Sequence, residues 1–439
     1  MAMRVIRLLQ QDLAREIGEW QAEGLISTSQ AERICARYGI DFNARDGRSF
    51  GYRLLIVLGY LFVGLALITL LSANWEEIPR MLRMGALVAL TLAVNGLALL
   101  RYRRGEEGGA TALFFLGALI YGASIMLIAQ IYHLGEHYPD GIYWWMLGTL
   151  PMALLLESRS IMLLASALAI VWFLVEAELG YLPRSFPLFL LALGWFVVYA
   201  KASNLLFLLL LASLLIWCEH LLGWYAGDAR LFDMDAPRLT FGVGFLVCCF
   251  ALSNWLAARA KPHLRSYGAL LDLWSLRLGM VVLLLFSFDS VWWEYIGWAR
   301  RSATLNGATI LLFSSLTLIL HYLSGSKRLN ALAAVAVYLA LFLPALLWAG
   351  REHTLILQVV DNLLLIGFGI WLIVHGIAQS ISHHFYLGVA TILITGLLRY
   401  MDLVGDYLGT ALLFLLFAVI LLFSARYWRL RHARQETGR

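Results

Sequence analysis

His133, Glu136 and His137 stand in the order His-x-x-Glu-His. On a helix that spacing would bring two imidazoles and a carboxylate to one face, around zinc. The neighbouring residues argue against a helix here. Gly135 lies inside the pattern, and Pro139-Asp140-Gly141 closes it as a turn. No downstream glutamate helix offers a further ligand, and motifs this short match by chance. No metal and no catalytic residue is assigned. The stretch from Gln130 to Gly141 is nonetheless the densest polar patch of the chain. It reads as a polar loop in which Gln130, Tyr132 and His133 are candidate ligand-binding residues.

A second set lies inside apolar runs, where an ionisable group is costly and becomes a functional candidate. Asp361 and Asn362 sit about two turns inside one run, near 10 Å deep at about 1.5 Å per residue. Asn95 lies within another run, and Asp289 interrupts a third. A buried Asp361 needs a partner such as Arg399 or Arg351, or a water-filled cavity. The bland alternative is a hydrogen bond between helices. Glu157, Glu176, Glu178, Glu219, His220, Asp272, Glu294 and Asp402 fall near run ends, where interfacial water would solvate them.

The elements that must position these groups follow from composition. Of 439 residues, 61% are hydrophobic and 14% charged, and the mean hydropathy is +0.77. A soluble domain carries about 25% charged residues, so lipid must be the solvent for most of this chain. Apolar runs fall at 52–72, 79–100, 109–131, 141–156, 159–178, 185–200, 203–222, 239–258, 273–292, 305–323, 329–349, 354–376, 384–400 and 407–426. Most are near the length of about 20 residues that a bilayer-crossing helix needs, and several are short or joined by only a few residues. The expectation is an all-α, polytopic transmembrane bundle of about 14 spans over residues 51–427, followed by a basic tail at 428–439. The run at 141–156 and the one at 159–178 could form a single hairpin or a re-entrant pair.

Residues 1–50 read as a short cytoplasmic helical hairpin. Ile6, Leu9, Leu13, Ile17 and Trp20 form one helical stripe, and Gly24 ends that helix. Ser27-Thr28-Ser29-Gln30 then resembles a capping box opening a second helix that runs to Tyr38 and stops at Gly39. The hairpin would cap the bundle or dock a protein partner.

Loop charge sets the orientation. With a cytoplasmic N-terminus and fourteen spans, 24 of the 33 Lys and Arg fall on the cytoplasmic side, including all three lysines. The rest are Arg80, Arg83, Arg184, Arg230, Arg238, Arg300, Arg301, Arg351 and Arg399. This is the asymmetry of the positive-inside rule, and it places both termini in the cytoplasm. Trp75, Trp144, Trp145, Trp224, Trp292, Trp293, Trp298, Trp348 and Tyr407 fall near run ends on the outer side, as interfacial rings should. The net charge of +5 is spread through short loops, which excludes a nucleic-acid stripe. None of the four cysteines forms a CxxC pair, and no phosphate loop, dinucleotide fingerprint or GxSxG elbow is present. No cofactor is expected.

Several segments resemble a known family. They are Trp20-Gln21-Ala22-Glu23-Gly24-Leu25-Ile26, Ser72-Ala73-Asn74-Trp75-Glu76-Glu77-Ile78-Pro79-Arg80, and Gly117 to His133 with Ala129-Gln130-Ile131-Tyr132-His133. Asp140-Gly141, Trp145, Leu150-Pro151 and Arg399-Tyr400-Met401-Asp402-Leu403 continue the likeness. The chain is similar in these to the bacterial membrane proteins of domain of unknown function family 2157. Glu136-His137 departs from that family's short Gly/Asp turn. The resemblance implies a polytopic bacterial inner-membrane protein with no assigned activity. An intramembrane enzyme, with His133, Glu136 and His137 converging on an outer-face pocket, trails two other functional classes. One is transport-type handling of a small-molecule or lipid-linked substrate, with a polar cavity enclosing Asp361, Asn362 and Asn95. The other is a non-catalytic scaffold recruiting an envelope partner through the hairpin.

Overall fold

The computed structural model describes residues 16–18, 20–38, 78–135, 137–226, 235–325, 329–379 and 381–403, with isolated positions at 55, 58, 59, 62, 415 and 419. Every regular element among them is helical: α1 Thr28–Tyr38, α2 Arg80–Arg103, α3 Glu107–Tyr132, α4 Pro139–Leu155, α5 Arg159–Glu178, α6 Phe186–Trp195, α7 Asn204–Ala226, α8 Ala236–Ala257, α9 Pro262–Phe286, α10 Asp289–Ala299, α11 Ala303–Ser324, α12 Asn330–Leu347, α13 Thr354–Gln379 and α14 Ser382–Leu403. Nine helices among the described residues are long and apolar enough to cross a membrane. The expected runs at 52–72 and 407–426 are described only at those isolated positions, and the tail, Trp75 and Tyr407 lie outside the described residues.

Residues 1–89 and 90–439 form two compact units. In the first, Ser27 Oγ accepts from Gln30 N at 3.3 Å while Gln30 Oε1 accepts from Ser27 N at 2.8 Å, the reciprocal pair expected at the start of α1. Gly24 adopts φ +74°, and Leu25 N donates to Trp20 O across it. That left-handed turn favours glycine because a Cβ would be strained there. Ile17, Ala31 and Cys35 share a small buried cluster.

The second unit holds two cores. One gathers α4 to α7 with the facing ends of α8 and α9, around Trp172, Phe173, Phe186, Phe189 and Phe196. The other gathers α8 to α13 around Phe286, Trp292, Tyr295, Tyr338 and Phe342. Phe245 of α8 packs against both. Trp292 is 0% exposed, so the expectation of an interfacial ring there is overturned: it is core. Trp145 also turns inward. Its indole lies where a Cβ on Gly122 would be, and Nε1 donates to Ala118 O at 2.8 Å. Without a side chain at 122 that carbonyl is reachable. Trp144, Trp293, Trp298 and Trp348 are exposed, as lipid-interface rings should be.

Two expected runs change shape. The run at 185–200 becomes α6 plus one π-helical turn, Phe196–Ala200, closed by Lys201 N donating to Phe196 O at 3.0 Å. Such a turn leaves carbonyls unpaired. Tyr267 hydroxyl donates to Val197 O at 3.1 Å and accepts from Ser203 N at 3.0 Å, which satisfies both ends of the irregularity. The run at 273–292 does not survive as one span. The helix starts earlier, ends at Phe286, and Asp289 opens the separate short α10. Burial pushes the Tyr295 phenol of α10 well above its ordinary range, although Thr240 hydrogen-bonds it at 2.8 Å.

Glycines set the closest helix contact. Between α13 and α14, a Cβ on Gly369 would lie 3.2 Å from Gly388 O, one on Gly388 2.6 Å from Gly369 O, and one on Gly376 2.5 Å from Phe385 N. Small residues let helix backbones approach where lipid supplies no hydrophobic drive. The pairs 369/388 and 376/385 define an antiparallel register, in which position 399 falls opposite 358–362.

Gly376→Leu should overpack this seam and lower unfolding stability in detergent by about 1–3 kcal/mol. Tyr267→Phe should leave the Val197 carbonyl unsatisfied and cost about 1–3 kcal/mol. Thermal melts of the two variants against the parent protein check both values.

Candidate ligand site

The α13 stripe Leu357, Gln358, Asp361, Leu365, Gly369, Leu372 and Gly376 is buried, and Asp361 is 0% exposed. Asp361 therefore faces protein, not lipid. Neither of its carboxylate oxygens has a hydrogen-bond partner among the described residues. The antiparallel register sets Arg399 of α14 opposite it. Arg399 also lies over the Phe288 ring at 5.2 Å. Arg351, the other partner weighed from the sequence, is turned elsewhere. It stacks on Trp293 at 4.7 Å, with Nη2 2.6 Å from where a Cβ on Gly297 would be.

The break between α9 and α10 supplies the neighbouring polar atoms. A helix end leaves carbonyls without intrahelical donors. Ser287 O accepts from Gln358 Nε2 at 3.0 Å and from Asn362 Nδ2 at 3.4 Å. Asn362 Nδ2 also donates to Gln358 O at 2.8 Å, while its Oδ1 is buried and has no partner among the described residues. Two amides thus tie α13 to the break, and between them the carboxylate and one amide oxygen are left as open acceptors. Gln358 and Ser287 were not among the sequence candidates. The signal for Gln358 was its position three residues before Asp361 on the same stripe. Ser287 could not be found without knowing where α9 ends.

Just beyond the break lies a pocket of about 490 Å³, lined by Asp289, Ser290, Trp293, Glu294, Trp298 and Arg351. Its acidic groups and exposed indoles make an acceptor-rich mouth, and Arg351 is held against Trp293. Asp361, Asn362 and Asn95 do not line it. Among the described residues, neither this pocket nor the smaller one lined by Leu339, Ala340, Leu343, Pro344, Leu347 and Trp348 takes in all three residues. Asn95 lies on α2, where Nδ2 donates to Thr91 O at 2.9 Å and the side chain fills the space beside Gly117 of α3. Asn95 is thus a packing residue on a different helix pair.

The patch after α3 is built differently again. α3 ends at Tyr132, and His133 caps it in the left-handed conformation, φ 52°. α4 starts at Pro139, so the His-x-x-Glu-His order spans a turn and not a helix face. Glu136 lies outside the described residues. Gln130 and His133 are exposed and Tyr132 is half-buried. His137 points to α5 and shares a hydrogen bond with Glu176 Oε1 at 2.9 Å; the same oxygen accepts from Trp172 Nε1 at 3.1 Å. Glu176 is 7% exposed and His220 2%. Interfacial solvation, expected for both, is overturned: each lies on the buried face of its helix and finds a protein partner, Tyr181 O in the case of His220. Five of the six candidates thus fall in two places, Asp361 with Asn362 in one, and Gln130, Tyr132 and His133 in another, with Asn95 apart from both.

Apolar spans packed through glycines, with few polar atoms held inside, define a multi-span helical membrane protein. Residues 18–162 match the family model described as "Predicted membrane protein (DUF2157)", so that segment is similar to this family. No curated protein and no solved structure matches the chain.

Arg399→Leu should remove the positive charge that the register sets opposite Asp361 and lower stability by about 1–3 kcal/mol. The double variant Asp361→Leu with Arg399→Leu should cost less than Arg399→Leu alone. A double-mutant cycle of unfolding in detergent measures the coupling.

Proposed function

We propose that this protein is a transport-type membrane protein of a bacterial inner membrane, with both termini cytoplasmic, handling a small or lipid-linked substrate. The observation that carries the reading is Asp361, fully buried with both carboxylate oxygens unbonded. A buried polar group in that state is costly unless something completes it. Asn362 Oδ1 is a second open acceptor beside it. Two acceptors suit a substrate group that donates hydrogen bonds or carries positive charge. The acidic and indole-lined pocket at α10 suits the same chemistry, since aromatic faces attract cations. That pocket would receive the substrate, and a shift at the α9–α10 break would pass it to Asp361. The charge bias of the loops supports the orientation.

A second reading, the non-catalytic scaffold, draws on Asn95, which packs on a neighbouring helix and lines no described pocket. In that case the N-terminal hairpin recruits an envelope partner.

Thermal stabilisation of the purified protein by a panel of small amines and polyols tests the transport reading, because binding stabilises by mass action. A hit should vanish in Asp361→Asn and persist in His133→Ala. The reading fails if Asp361→Asn keeps both the stabilisation and the uptake of that compound into proteoliposomes. Deletion of residues 1–50 should leave uptake intact; loss of a co-purifying envelope protein without change in uptake would favour the scaffold.

A further inference from the structure

At the end of α14 far from Arg399, Asp272 of α9 meets His383 and His384. Their ligand-capable atoms all lie within 4.8 Å of one another. His384 Nε2 is 3.3 Å from Asp272 Oδ2, too far off line for a hydrogen bond. His384 is 3% exposed, and neither ring nitrogen has a hydrogen-bond partner among the described residues. A buried imidazole left in this state calls for an explanation. His375 of α13 backs the ring at 5.5 Å and itself stacks on Trp371 at 5.0 Å, so His384 is held in place. His383 is exposed and Asp272 half-buried, which leaves a path from solvent.

The geometry points to a divalent transition-metal site made by Asp272, His383 and His384, with zinc the foremost ion. Two imidazoles and one carboxylate are the donor set of zinc and its first-row neighbours, whereas magnesium and calcium take oxygen ligands. Water would complete the coordination on the exposed side. The ion would join α9 to the start of α14. The other His/carboxylate group among the described residues, His137, Asp140 and Glu176, makes no such demand, because Glu176 Oε1 already accepts from His137 or Trp172. The proposal stands independently of Asp361, which lies toward the other end of the same helix pair.

The test is zinc binding by the full-length protein after stripping with a chelator, followed by isothermal titration and by cobalt substitution. One zinc per chain is expected, with cobalt d–d absorption that zinc displaces. Asp272→Asn and His383→Ala should each weaken zinc binding by at least about tenfold, the loss even an outer-sphere change typically brings. His383 is exposed, so that variant tests the site without threatening the fold, and circular dichroism checks it. His137→Ala should leave the affinity unchanged. No stoichiometric zinc, wild-type affinity in both Asp272→Asn and His383→Ala, or loss of binding in His137→Ala would each overturn the proposal.

Discussion

The close approach of α13 and α14 is the constraint on which the candidate chemistry depends. In a bilayer, apolar side chains gain little by leaving lipid for one another, so helices associate through van der Waals contact and polar bonds. Gly369, Gly376 and Gly388 let the two backbones touch at 2.5–3.2 Å from any Cβ that might be added. That contact sets the register, and the register sets what meets what. It places Arg399 opposite Asp361 and brings the start of α14, with His384, against Asp272 of α9. A slip of one helical turn would separate both pairs.

Irregular backbone recurs where polar side chains converge. The π-turn at Phe196–Ala200 is closed by Tyr267, and the break after Phe286 is closed by Gln358 and Asn362. Hydrocarbon offers no donor to an unpaired carbonyl, so non-helical backbone at depth persists only where protein or water completes it. The break also creates α10, whose Asp289, Trp293 and Trp298 form the pocket mouth. One backbone interruption therefore generates both the amide clamp on α13 and the entrance beside it.

Much of the architecture was legible in the residues alone. The helix start at Thr28, the helix class of the described elements, and the bounds of α3, α5 and α13 follow from capping residues and apolar run length, which are local properties. The site was half legible. Asp361 and Asn362 stood out because charge and amide inside an apolar run are expensive anywhere. Gln358 and Ser287 did not, since one is ordinary near a run end and the other matters only through its carbonyl. Trp292, Glu176 and His220 were misplaced for a related reason: closeness to a run end does not say which face of the helix a residue occupies.

The sequence by itself determined that this chain lives in lipid, that its elements are helices, and that a carboxylate stands inside an apolar run. Those conclusions rest on transfer free energy and helix periodicity, which each segment carries alone. Only the tertiary structure decided that Arg399 and not Arg351 faces Asp361, that Asn95 stands apart, and that Asp272 joins His383 and His384. Those are pairings between segments distant along the chain. They depend on interhelix register, which is set by where glycines allow two backbones to meet.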